Sequence, residues 1–299
     1  MSAVSQPTPT IQVYSGQNQA ARRKKQIGMG TVYALLIIGS LIFMMPLIYM
    51  IATSFKSFNE INSYPPTFFP NEWLPGNYND AWNYQNTNFP RWTLNTLIIL
   101  VGTLPGVVLT SSLCAYGFAR LQFPGRKLWF GLVLASIMLP PQVTLIPLYI
   151  LFFNLGWLNT FLPLIIPAWF GGGALNIFLL RQFYMQIPKE LDEAAIIDGA
   201  THLTIWWRIY MPLSRPALVS VTLLTVLGIW NDFFGPLIYL TSPENYTLAL
   251  GLNMFRGLFT TRTDYIMAIS TLMVLPMILM FIFAQRYIIQ GFVTSGLKG

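Results

Sequence analysis

The sequence predicts an all-α integral membrane protein with six transmembrane helices. Three observations lead there: 54% of the 299 residues are hydrophobic, only 9% are charged, and long stretches carry no charge at all. A soluble globule of this length is charged at roughly a quarter of its residues. A bilayer asks for the reverse, with about 20 consecutive apolar residues for each helical crossing. A helix also satisfies its own backbone hydrogen bonds within the segment, which lipid cannot do.

The elements follow in chain order. Residues 1–28 are polar, rich in Gln, Pro and Ser, and carry Arg22-Arg23-Lys24-Lys25; they read as a flexible tail preceding one membrane domain over 29–299. The apolar run 26–55 is too long for a signal-peptide core and reads as a retained first span. The second span, 92–119, contains the single cysteine, Cys114, so no intramolecular disulfide is possible. The stretch 128–180 is free of charge for 53 residues and must hold two helices, divided at "NLGWLNT", where Asn, Gly and Trp suit an interfacial turn. Spans five and six follow at 216–240, with one carboxylate at Asp232, and at 265–284.

Lysine and arginine set the orientation. With the N-terminus in the cytoplasm, 13 of the 17 Lys and Arg residues fall inside, and only Lys56, Arg91, Arg256 and Arg262 fall outside. Cytoplasmic loops are enriched in these residues, so both termini are expected inside. The formal charge of +7 then meets an anionic inner leaflet rather than nucleic acid.

Catalytic and metal chemistry find little material. His202 is the one histidine, so no His-pair metal motif can form, and neither a phosphate-binding G-x-x-x-x-G-K-[ST] loop nor a G-x-S-x-G elbow is present. "FGGGA", residues 170–174, lies in a span without the strand and lysine of a phosphate cradle, and reads as close helix packing or a kink. No metal site and no catalytic residue is assigned.

The most polar internal stretch lies between spans four and five. Pro188 fits a helix start, and Glu190, Asp192 and Glu193 occupy the first turns, where the positive helix end favours acids. A helix over 188–198 is about 16 Å long at 1.5 Å per residue, too short and too charged to cross a bilayer. Gly199 stops it. Thr201 then caps a second helix whose Ile205, Trp206, Ile209 and Met211 rest on the membrane or on other spans. Two readings fit these residues: an amphipathic interfacial loop, or a short helix that docks in a cleft on another protein.

"EAAIIDGATHLTIWWRIYMP" resembles the EAA loop of binding-protein-dependent ABC importer permeases, E-A-A-x-x-x-G followed by I-x-L-P. Glu193, Ala194, Ala195, Gly199, Ile209 and Pro212 match, with Met211 where the family prefers Leu; Asp198-Gly199-Ala200 has the D-G-A form of carbohydrate importers. From Tyr78 onward "NYNDAW", "AYGFARLQFPGRKLWF", "FLLRQFYMQIPKELDEAA", "WNDFFGPLIYL" and "FAQRYIIQGFVTSGLKG" are similar to the second permease of the maltose and multiple-sugar type. The resemblance implies an ABC type I importer permease fold in a bacterial or archaeal inner (plasma) membrane. It further implies a second permease, two ATP-binding subunits that use ATP and Mg, and an extracytoplasmic solute-binding protein, with no cofactor on this chain. The loop 181–215 would couple to the ATPase through Glu193, Ala194, Ala195, Asp198, Gly199, Ala200, Ile209 and Pro212.

Two further sets stay open between roles. Trp230, Asn231 and Asp232 either line the translocation path or bond to a neighbouring helix, since an ionisable group in a span is costly. The tail with Gly296 and Lys298 either reaches the ATPase or is a free terminus. As drawn, no span carries Lys or Arg in its interior, which favours a neutral sugar; glycerol phosphate or a phosphodiester is the alternative solute, and a secondary transporter the alternative class.

Overall fold

The structure, a computed structural model, describes residues 13–84, 87–256 and 261–296, with side chains over 29–84, 87–256 and 261–286. Among the described residues the regular elements are helical, apart from one isolated bridge between Arg256 and Thr261. Four helices are long and apolar enough to cross a membrane, and six spans result if each of two bent helix pairs is one crossing.

Helix α1 (Val13–Ser54) starts inside the segment expected to be a flexible tail. Ala, Gln, Arg and Lys in that segment are strong helix formers, and extending an existing helix avoids the unfavourable nucleation step. Its apolar part, Met29–Ser54, has no buried residue in its most apolar window, so lipid or another chain must cover it. Helix α2 (Phe89–Arg120) is capped by Asn88, whose side chain accepts from the Arg91 N–H.

The third span corrects the expectation of an unbroken helix. Helix α3 (Arg126–Ile137) and helix α4 (Pro141–Asn154) meet at 96°. Pro140 and Pro141 cause the break: each lacks an N–H, and Pro140, preceding a proline, is extended at ψ 133°. The turn expected at 154–160 is present. Gly156 and Asn159 there have φ of 67° and 59°, and Asn159 ties the turn to the end of span five by accepting from the N–H groups of Thr241 and Ser242.

Span four is a short helix, Leu162–Ile165, a 3₁₀ turn, Ile166–Trp169, a glycine break, and helix α5 (Ala174–Gln186). The break bears out the kink read from "FGGGA". A Cβ on Gly172 would lie 2.4 Å from the carbonyl oxygen of Val107, so α2 passes directly against this backbone.

After α5 come helix α6 (Glu190–Ile197), helix α7 (His202–Ile205), a π-helical turn, Trp206–Tyr210, and the short helix Met211–Leu213. Helix α6 begins at Glu190, with Pro188 outside it. Helix α8 (Arg215–Trp230) then opens span five. The continuous span expected over 216–240 is corrected as well: α8 ends at Trp230, and the chain resumes as Phe234–Tyr239. Helix α9 (Thr263–Gly296) is unbroken, so the helix runs on through Gly291 to Gly296.

Two cores hold the ends of the bundle. One gathers Phe89, Trp92, Trp230, Phe255 and Tyr265; the other gathers Tyr116, Tyr184, Trp206 and Tyr210 beneath the loop that follows α5.

Candidate functional site

The loop between α5 and α8 is built from two short helices joined at one glycine. Gly199 has φ +80°, its N–H donates to Ile196, and the Ala200 N–H reaches back to Ala195. These two bonds close α6 with a left-handed residue after the cap, an arrangement that glycine adopts without steric penalty. Asp198, the cap itself, donates its N–H to the Ala194 carbonyl. Thr201 then caps α7 by accepting from the Thr204 N–H at 3.3 Å.

Helix α6 has two faces. Glu190, Glu193 and Ile197, three and four residues apart, lie on its exposed side, whereas Asp192 and Ala195 turn inward. Ile197 is 86% exposed, and Leu203 and Trp207 on the following turns are also exposed. Ala194 and Pro212 are exposed, while Ala200 and Ile209 are half-buried.

The opposite side of the loop is anchored in the bundle. Ile205, Trp206 and Tyr210 are buried. Trp206 Nε1 donates to Ser112 Oγ at 2.9 Å, and the Tyr184 hydroxyl bonds the same Ser112 oxygen at 2.6 Å. Tyr210 stacks edge-on against Tyr116 and Tyr184, with ring centroids 4.9 and 5.1 Å away. Its hydroxyl donates to Asp192 Oδ2 at 2.9 Å, and Arg120 Nε approaches that same oxygen at 3.5 Å.

Arg120, Ser112, Tyr184 and Tyr210 therefore belong to the site, and sequence reasoning did not assign them. A charge at the very end of an apolar span was the available signal for Arg120. Nothing in the local pattern tells which carboxylate it meets.

The other assigned residues lie elsewhere. Trp230 is buried in the far core, with its Nε1 donating to the Met273 carbonyl at 3.1 Å. Asn231 caps the end of α8 by donating to Leu227, and Asp232 accepts from the Gly235 N–H at 3.1 Å across the helix break. Asp232 thus satisfies the backbone that the break exposes. Gly296 ends α9, and Lys298 lies outside the described residues.

A separate open groove of about 490 Å³ lies where the breaks of spans three and four face α8. Ser136, Asn176 and Thr225 supply its polar side chains, and Leu139, Leu175 and Leu224 are among its apolar ones. None of its lining residues is charged.

Comparison with known proteins matches these features to one family. Residues 108–293 match the binding-protein-dependent transport system inner membrane component. The diacetylchitobiose uptake system permease protein of Streptomyces coelicolor is 33% identical over 88% of this chain and 87% of its own. The trehalose/maltose transport system permease protein of Thermococcus litoralis is 33% identical over 89% of this chain and 96% of its own. A chain of a bacterial ABC transporter involved in the import of the acidic polysaccharide alginate shares the fold, with a TM-score of 0.73 at 24% identity over 89% of this chain and 98% of that one. The loop resembling the EAA element lies within the matched region, and the chain belongs to the inner membrane components of binding-protein-dependent transport systems, the ABC transporter permeases.

Proposed function

We propose that this chain forms half of the translocation pathway for a neutral oligosaccharide, beside a second permease, and couples to two ATP-binding subunits through α6 and the turn at Gly199. An extracytoplasmic binding protein delivers the solute. The observation that carries this reading is that Glu190, Glu193 and Ile197 share the exposed side of α6, with Leu203 and Trp207 exposed on the following turns, on a loop whose other side is packed into the bundle. A short helix with exposed acidic and apolar side chains is suited to a cleft on a soluble partner, and it passes on movement because its base is anchored in the bundle. Glu193 makes a charge-assisted bond inside that cleft, Ala194 and Ala195 permit close approach, and Asp198, Gly199 and Ala200 set the angle of the turn. Ile209 packs the return segment of the loop on the core, and Pro212 leads it into α8. Gly296, at the end of α9, and Lys298, two residues further along the chain, would contact the same subunits.

The uncharged groove between the helix breaks supports a neutral solute, and the named substrates of the two relatives, diacetylchitobiose and trehalose/maltose, are uncharged sugars. Asn231 and Asp232, at the break in span five, are this chain's further polar contribution to the route, while Trp230 supports them from the core. Discontinuous spans place backbone polar groups where a polar solute can replace water.

The test is uptake of labelled oligosaccharides into proteoliposomes holding the whole complex, wild type against Gly199→Pro. Proline fixes φ near −65° and removes the N–H that closes α6, so the turn cannot form. The expected result is ATP-dependent uptake in the wild type and at least a roughly tenfold loss in an assembled variant. Uptake without ATP, or by this chain alone, would make it a secondary transporter.

A further inference from the structure

A single guanidinium joins four elements beneath the loop. Arg120 closes α2 with only 6% of its side chain exposed, and its Nη2 donates to the carbonyls of Tyr184, at 2.8 Å, and Ile187, just where α5 ends. Its Nε faces Asp192 Oδ2 on α6, and its guanidinium carbon lies 5.2 Å from the ring of Tyr210, which donates to that same oxygen from the segment before α8. Helix C-terminal carbonyls alone would be served by any cation, and packing alone by any apolar side chain. A buried ion pair is a poor way to gain stability, because taking both charges from water offsets their attraction. It is a good way to fix geometry.

The contact also has slack. Asp192 Oδ1 and Arg120 Nε are buried without a well-directed hydrogen bond among the described residues, so the two-bond pairing open to arginine and carboxylate is not reached. Small displacements of α6 therefore keep the charges engaged while the hydrogen bonds redistribute.

We propose that Arg120, Asp192 and Tyr210 are positioning residues that transmit movement of α6 to α2, so that Asp192 faces the bundle for coupling while Glu190 and Glu193 face the partner subunit. This rests on the importer reading above. Asparagine at 192 keeps an acceptor for Tyr210 but removes the charge; phenylalanine at 210 keeps the ring packing but removes the bond.

The experiment reads solute imported per ATP hydrolysed, in proteoliposomes of the whole complex, for wild type, Asp192→Asn, Tyr210→Phe, Arg120→Gln and the double variant Arg120→Gln/Asp192→Asn. Each single variant is expected to lower that ratio by about tenfold. The double variant should be no worse than the poorer single one, because both remove one link. A wild-type ratio in assembled Asp192→Asn and Tyr210→Phe complexes would overturn the proposal, as would losses that multiply in the double variant. Tyr210→Phe keeps the test decisive if Arg120→Gln fails to assemble. Absence of ATP-driven uptake in the wild type is a separate outcome and would overturn the importer reading itself.

Discussion

Two glycines separate the conformational role of this residue from its spatial one. At Gly199 a Cβ would meet nothing within 4 Å, so the φ of +80° is the whole difficulty. Alanine there is expected to cost about 1–2 kcal/mol, the left-handed penalty of an L residue. At Gly172 the same positive φ is joined by overlap with the Val107 carbonyl and with Ser111. Gly172→Ala is therefore expected to lower the apparent melting temperature of the purified complex more than Gly199→Ala does, with backbone displacement adding a further ~1–3 kcal/mol. Equal shifts would mean that α2 moves away freely. The turn at Gly199 was legible beforehand because a glycine between an apolar-acidic helix and a capping threonine has few other uses. Arg120 was not, since its partner Asp192 comes from a different element.

Helix breaks are where single elements departed from simple hydropathy. Spans three and five are apolar on both sides of their interruptions, so run length alone sees one helix in each, with a single carboxylate, Asp232, in span five. Prolines at 140 and 141, and Asn231 with Asp232, divide them through backbone chemistry. The far end of α2 illustrates how an element is fixed once placed. Trp92 Nε1 donates to the Pro243 carbonyl, and the buried Asn95 donates to the carbonyls of Glu244 and Tyr246, at 2.8 and 2.9 Å. Asn95→Ala leaves both acceptors without that donor and is expected to destabilise by about 1–3 kcal/mol. Thermal unfolding followed by tryptophan fluorescence would register this as a lower midpoint, and an unchanged midpoint would assign the docking of α2 to apolar packing alone.

For the whole molecule, the distribution of Lys and Arg makes a topological prediction. In a Cys114→Ser background, the one native thiol is removed and new cysteines report their side. Ile197→Cys, at an 86% exposed position, is expected to react with an impermeant thiol reagent only from the cytoplasmic face, and Tyr64→Cys, at a 95% exposed one, only from the opposite face. The reverse pattern would overturn the orientation. That the chain is an all-α membrane protein, with a polar loop carrying a glycine-terminated acidic helix, was determined by sequence alone, because apolar run length and local capping chemistry act over a few neighbours. Which face of that helix looks inward, which breaks interrupt the spans, and which charge meets Asp192 were decided only by tertiary structure. Each depends on residues far apart in the chain arriving within a few ångströms, and short-range pattern carries no information about that distance.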